Sequence, residues 1–271
     1  MVLPAMHALP PRPRRYGSVN WLGLWTLSMR EIRRFTKVHT QTIAAPVVTT
    51  LLFLAVFVLA LGPQVNVAGG ISFAEFLAPG LIMMAMTQNA FANTSSSLVI
   101  AKVQGNIVDS LMPPLSPGEL VVGFAAGGIV RGLVVGLVVA ACLLPFVPLH
   151  VHAWGWILFN GLMASALLSL LGIAGGVWSE KFDHIAAVTN FVVTPLAFLS
   201  GTFYTVDRLP EPWHLLALFN PFCYMIDGFR FGFIGHADAH PWTGAAVLIG
   251  ANVALAALCY GMFKRGYKLR S

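Results

Sequence analysis

Runs of about twenty residues with almost no charge recur along the chain, and the lysines and arginines gather in every second gap between them. A helix needs about 20 apolar residues to cross the hydrocarbon of a bilayer. Six runs meet that length: 42–61, 76–99, 120–147, 154–178, 186–202 and 242–263. In lipid every backbone N–H and C=O must find its partner within the protein, so such runs are expected to be helices. Composition agrees: a chain that is 57% hydrophobic and 10% charged, with a mean hydropathy of +0.78, is too apolar for a water-soluble domain. The fold expected is an all-α integral membrane protein of six transmembrane helices.

Charge then sets orientation. With both ends on one side, the segments on that side hold Arg12, Arg14, Arg15, Arg30, Arg33, Arg34, Lys37, Lys102, Lys181, Lys264, Arg265, Lys268 and Arg270, and the opposite side holds Arg208 and Arg230. Positively charged loops stay in the cytoplasm, so both termini are expected there, in a multi-pass protein of a bacterial inner membrane. The net charge of +6 does not call for nucleic acid, because the basic residues flank apolar runs; anionic lipid head groups suit them better. The leader 1–20, with Pro4, Pro10, Pro11 and Pro13 among its arginines, has no apolar core of a signal peptide and reads as a flexible cytoplasmic tail. Cys142, Cys223 and Cys259 have no metal-ligand spacing, and neither a disulfide nor a zinc site is expected.

Residues 21–38 read as an amphipathic helix lying at the interface: Arg30, Arg33, Arg34 and Lys37 share one face, and Trp21, Trp25, Met29, Ile32 and Phe35 the other. A lipid anchor and a lever touching a cytoplasmic partner are both open. Asn89, Asn93 and Ser96 make a polar stripe on the second span, and Asn190, Thr194 and Gly201 suggest one on the fifth. Such stripes either glue helices together or line a path for cargo. Glycines at fourfold spacing, Gly128, Gly132 and Gly136 in the third span and Gly172 with Gly176 in the fourth, mark close helix packing.

Arg131 sits near the middle of the third span, where an unpaired guanidinium is costly. It either attracts an anionic group of a substrate or pairs with carbonyls or a carboxylate nearby. Residues 204–240 are too polar for one span yet rich in aromatic residues, among them Trp213, Phe219, Phe222, Tyr224 and Phe229, and are broken by Pro210, Pro212 and Pro221. Short re-entrant helices forming an outer lid and a surface loop in the aromatic belt are the two readings. Asp227 stands one helical turn before Arg230, the spacing of an ion pair.

Catalytic and nucleotide motifs are missing. There is no G-x-x-x-x-G-K-[ST] phosphate loop, H-E-x-x-H or G-x-S-x-G, and the H-x-H at His150 and His152 lacks further ligands. No catalytic residues and no metal are therefore assigned. A many-span chain without a catalytic set most simply moves something across the membrane. The alternatives, a lipid-modifying membrane enzyme and a stand-alone ion-coupled transporter, would need clustered carboxylates or histidines, or acidic groups deep in the spans.

The stretch 194–235, with Pro195, Gly201, Phe203, Leu209, Pro210, Asn220, Pro221, Tyr224 and Arg230, together with FLAPGLIMM at 76–84 and the basic tail, resembles the bacterial ABC-2 type permeases, the membrane subunits of ATP-binding-cassette exporters. The resemblance covers nearly the whole chain and is nearest to a proteobacterial half-size subgroup; the longer Pro/Arg-rich leader departs from the pattern. It implies a transmembrane domain at 39–271 that forms a homodimer within a four-subunit complex. Two ATPase subunits bind ATP and Mg, and this chain binds no cofactor. It further implies ATPase-coupling contacts at Asn106, Ile107, Asp109, Ser110 and Leu111 in the loop 101–118, and at the interface helix with Arg30, Arg33 and Arg34. The translocation path is then expected at Asn89, Asn93, Ser96, Arg131, Asn190 and Thr194, and an outer gate at Asn220, Pro221, Tyr224 and Arg230. Cargo in such a family is hydrophobic or amphipathic: a drug, lipid or glycan.

Overall fold

The computed structural model describes residues 17–61, 66–67, 71–205, 210–211 and 219–269. The expectations for the leader through residue 16, and for Arg208, Leu209, Pro212, Trp213 and Arg270, lie outside these residues. The described chain is helical apart from a two-residue antiparallel pair, β1 (Asn66–Val67) with β2 (Ile71–Ser72). In order the helices are α1 (Trp21–Thr36), α2 (His39–Leu61), α3 (Phe73–Val103), α4 (Ile107–Leu111), α5 (Pro117–Leu143) and α6 (Trp154–Trp178). There follow α7 (Phe182–Val188), a π turn (Thr189–Val193), α8 (Thr194–Phe198), α9 (Pro221–Ile234) and α10 (Pro241–Arg265).

Among the described residues four helices are both long and apolar enough to cross a membrane: Thr40–Ala60 within α2, and α5, α6 and α10. The other two expected spans are helical but fall short on one criterion each. α3 runs for 31 residues yet carries Thr87, Gln88, Asn89, Asn93 and Thr94 through its centre; these lower its hydropathy and are mostly buried by neighbouring helices. The fifth is the shorter helix Phe182–Phe198, whose ladder is widened by the π turn before Pro195. A proline cannot donate to the preceding turn, and a π turn is one way the backbone absorbs that loss.

α3 is the axis of the bundle, packed against α5 and α6 along its length. Close approach is possible because small residues face it. A side chain at Gly172 would collide with Thr94 and the Phe91 carbonyl, and one at Gly176 with Leu98 and the Ser95 carbonyl. On α5, Gly128 and Gly132 leave room for Ser169 and Ser165 of α6, and Gly136 for Met86 of α3. Two more glycines, Gly123 and Gly127, receive Leu27 and Glu31 of α1.

α1 therefore docks differently from the two-faced helix expected. Its buried row is Leu27, Glu31 and Phe35, spaced four residues apart and set between the basic face and the tryptophan face. Trp21 and Trp25 stay exposed on one flank, while Arg33 and Lys37 are exposed on the other.

One end of the bundle carries α1, α4, Lys102, Lys181 and the tail after α10; it is called the basic end below. Here Lys102 Nζ donates to the Val177 carbonyl at 2.7 Å and to that of Ser179, closing the C-terminus of α6. Lys268 Nζ pairs with Glu180 at 2.8 Å. This contact lowers the Glu180 carboxyl and raises the Lys268 ammonium from their ordinary values.

At the far end α9 is buried on nearly every side, packed against α6, α10 and α3. A surface loop does not describe it. Asn220 caps its start and donates from Nδ2 to the Leu196 carbonyl at 2.9 Å, which ties α9 to α8. Asp227 is not spent on Arg230: its two oxygens accept from the N–H groups of Asp238 (2.8 Å) and Ala239 (2.9 Å), which folds the following loop back onto the helix.

Candidate functional site

Two polar regions emerge, one at the basic end and one along α3. At the basic end the loop expected to be a coupling element contains α4. Of the five residues assigned there, Asn106 and Asp109 are exposed, Leu111 is half-buried, and Ile107 and Ser110 are buried. The outward face is completed by Val108 and Met112, which are 52% and 76% exposed and were not singled out in the sequence. Two apolar side chains beside one carboxylate on an exposed helix form a surface fit for a protein partner.

This loop and α1 are fastened to each other at both ends. At the start of α1, the backbone N–H of Asn20 donates to Glu119 of α5, and Asn20 Nδ2 donates to the Pro114 carbonyl at 3.2 Å. Glu119 also closes a capping box with Ser116. Further along, Arg30 Nη1 donates to Ser110 Oγ at 2.9 Å, and Arg30 Nη2 meets Glu31 Oε1 at 3.1 Å. A groove of about 700 Å³ runs between the two, lined by Trp25, Arg33, Arg34 and Lys37 on one wall and Gln104, Asn106 and Asp109 on the other.

Arg34 turns inward. Its Nε lies 3.4 Å from Glu31 Oε2, Nη1 donates to Ser96 Oγ at 3.3 Å, and Nη2 donates to Asn93 Oδ1 at 3.1 Å and to the Asn93 carbonyl. Burial lowers the guanidinium from its ordinary value, and the adjacent Glu31 opposes that shift. Of the three arginines grouped together in the sequence, Arg30 and Arg33 are exposed and Arg34 is half-buried; Arg30 reaches the loop and Arg34 the bundle.

The second region continues along α3 by one turn. Arg131 of α5 donates from Nη2 to Asn89 Oδ1 at 2.9 Å, and Asn89 Nδ2 donates to the Ala85 carbonyl. Behind this row a cleft of about 380 Å³ opens between α3 and the broken helix, lined by Gln88, Asn89, Ala92, Ser95 and Ser96, and across from them by Ile185, Thr189, Val193 and Thr194. Of the expected path residues, Asn89, Ser96 and Thr194 meet in this cleft. Asn93 is buried against α1 and α5, Arg131 touches the cleft through Asn89, and Asn190 is exposed outside its lining. Thr189 is an addition that the sequence offered no reason to pick.

The expected gate residues sit together at the far end. Asn220 and Pro221 open α9, and Tyr224 lies half-buried against Gly244 of α10. Arg230 is buried: its guanidinium stacks 3.8 Å over the Phe76 ring and Nη2 donates to the Gly201 carbonyl at 2.7 Å. It braces the bundle instead of standing on an exterior loop.

A family profile described as "ABC-2 type transporter" matches residues 23–234. The chain is 39% identical over 251 residues to the inner membrane transport permease YadH of Escherichia coli strain K12, covering 93% of this chain and 98% of that protein. It is 28% identical over 229 residues to nodulation protein J of Rhizobium leguminosarum bv. trifolii, covering 81% and 83%.

Proposed function

The chain belongs to the ABC-2 type transporter family, and we propose that it is the permease half of a four-subunit exporter whose ATP is hydrolysed by a separate protein. Membership makes it a membrane subunit of an ATP-binding-cassette transporter, not an enzyme in its own right. In this reading two copies form a homodimer in the bacterial inner membrane, as the name of its Escherichia coli relative suggests, with the basic end and both termini in the cytoplasm. Six helices cross: α2, α3, α5, α6, the helix Phe182–Phe198 and α10. α3 crosses with its polar stripe turned to protein, and Phe182–Phe198, at 17 residues, stands at the lower limit for a span. α9 is the re-entrant outer element.

The observation that carries the proposal is the strapping of α1 to the loop that holds α4. A push on α4 moves α1 with it. Arg34 then passes the displacement to Asn93 and Ser96 on α3, and Ser96 lines the cleft. Closure of the ATPase subunits on ATP drives that push, favouring the state in which the cleft opens outward. Cargo of hydrophobic or amphipathic character, a drug, lipid or glycan, moves along Asn89, Ser96 and Thr194.

The test is purification of the tagged chain from native membranes in mild detergent with mass spectrometry of the co-eluting proteins. A nucleotide-binding subunit in equal amount is expected; its reproducible absence would overturn the assignment. In the reconstituted complex, Asp109→Arg is expected to leave ATP hydrolysis running while export stops.

A further inference from the structure

Arg131 is the lone basic residue of α5, and its acceptor among the described residues is the neutral amide oxygen of Asn89. Its Nε is buried with no acceptor, as is Nδ2 of Asn93 one turn along α3. The carboxylate of Glu31 is already shared by Arg30 and Arg34. Arg34 holds Asn93 and Arg131 holds Asn89. Since those asparagines are four residues apart, the two guanidiniums grip α3 about 6 Å apart along its axis. A buried guanidinium left with a neutral partner is costly. Three arginines against one carboxylate leave this corner positive, with unfilled donors separated by Asn89 from a cleft of about 380 Å³ that Asn89 and Ser96 line.

We propose that Arg131, with Arg34 behind it, receives a single anionic group, a phosphate or carboxylate, carried by an amphiphilic cargo that enters the cleft between α3 and the broken helix. This rests on reading the chain as a permease and names the class of its cargo. The anion would complete the hydrogen bonding of Arg131 in the low-dielectric bundle, where charge-assisted bonds are strong. The apolar remainder would lie along Ala92, Ile185 and Val193 of the same cleft.

The experiment measures binding of dodecyl phosphate, against the uncharged dodecyl glucoside, to the full chain with its co-purifying proteins in zwitterionic nanodiscs. Wild type is expected to prefer the phosphate by roughly tenfold or more, and Arg131→Gln to abolish the preference. Asn89→Asp keeps the shape and supplies an internal carboxylate. It is expected to raise the thermal midpoint and to weaken dodecyl phosphate by a similar factor, so a folded variant exists even where Arg131→Gln fails to assemble. Equal binding of the two amphiphiles, or unchanged dodecyl phosphate binding in Asn89→Asp, would overturn the inference. Inorganic phosphate binding as tightly as the alkyl phosphate would overturn the amphiphile and leave a free-anion site. If the ATPase subunit co-elutes while the preference is missing, the cargo class falls and the permease reading stands. If the preference is present without any ATPase, the permease reading falls instead.

Discussion

Two arginines turn into this bundle by opposite means. Arg230, in the aromatic far end, is 2% exposed, with its plane on Phe76 and one N–H on the Gly201 carbonyl, while its Nε has no acceptor among the described residues. Arg34, at the basic end, is held by polar partners from α1 and α3, namely Glu31, Asn93 and Ser96, and remains half-exposed. The far end is an apolar block with a cation fitted into it, and removing the cation opens a hole. The basic end is a set of polar contacts between side chains of α1, α3 and the loop 101–118.

That contrast can be broken. Arg230→Ala removes stacking, a hydrogen bond and packing volume together and should cost about 3–5 kcal/mol, seen as loss of the monodisperse protein or a large fall in its thermal midpoint; a stable variant would show that the contrast between the two ends does not hold. Gly127→Leu is next: its side chain would meet Glu31 and Asn93, so α1 should be displaced at about 1–3 kcal/mol, with increased proteolysis near α1 and no change around α9. Glu31→Gln leaves Arg30 and Arg34 without their carboxylate and should cost about 1–3 kcal/mol; the same loss measured on a background already carrying Arg34→Gln would show that the two side chains are not coupled.

Asp109→Arg, on an exposed surface, should change stability by less than about 0.5 kcal/mol while separating ATP hydrolysis from transport. The smallest effect is expected at the tail. The Glu180 carboxyl is lowered, so its pairing with Lys268 is present above the ordinary carboxylate range and lost as pH falls through the shifted value. Lys268 is raised, so the pairing is lost again only as strongly alkaline pH exceeds its own shifted value. Limited proteolysis of the tail, compared at neutral and strongly acid pH in wild type and Glu180→Gln, reads this directly.

The extent to which the sequence disclosed these features follows from what hydropathy measures. It reports the cost of a segment in lipid, so 154–178 is found to the residue, and α2, α5 and α10 to within a few positions. The short helix α4 inside the loop 101–118 carries no hydropathy signal, and the sequence reads that stretch only as a loop. Hydropathy does not report which helices share a face. Glu31 was passed over because an acid on an amphipathic helix is ordinarily solvated; it is buried because Gly127, on a distant span, leaves space for it. Arg230 reads as an exterior charge in a polar loop, and only the fold brings Phe76 beneath it. Asp227 and Arg230 have ion-pair spacing, yet the carboxylate is drawn to loop N–H groups that no local rule anticipates.

The seating of Leu27 and Glu31 in the glycine groove of α5 carries a consequence for biosynthesis. α1 precedes α5 in the chain, and the surface that receives it is not made until α3 and α4 have followed and α5 itself emerges. Until then the glycine groove that receives Leu27 and Glu31 does not exist. Docking of α1 is thus a late event in assembly, and it signals that the third long helix of the bundle is in place. A partner that recognises α1 and α4 only when they are joined would engage chains in which α5 is in place and ignore shorter ones.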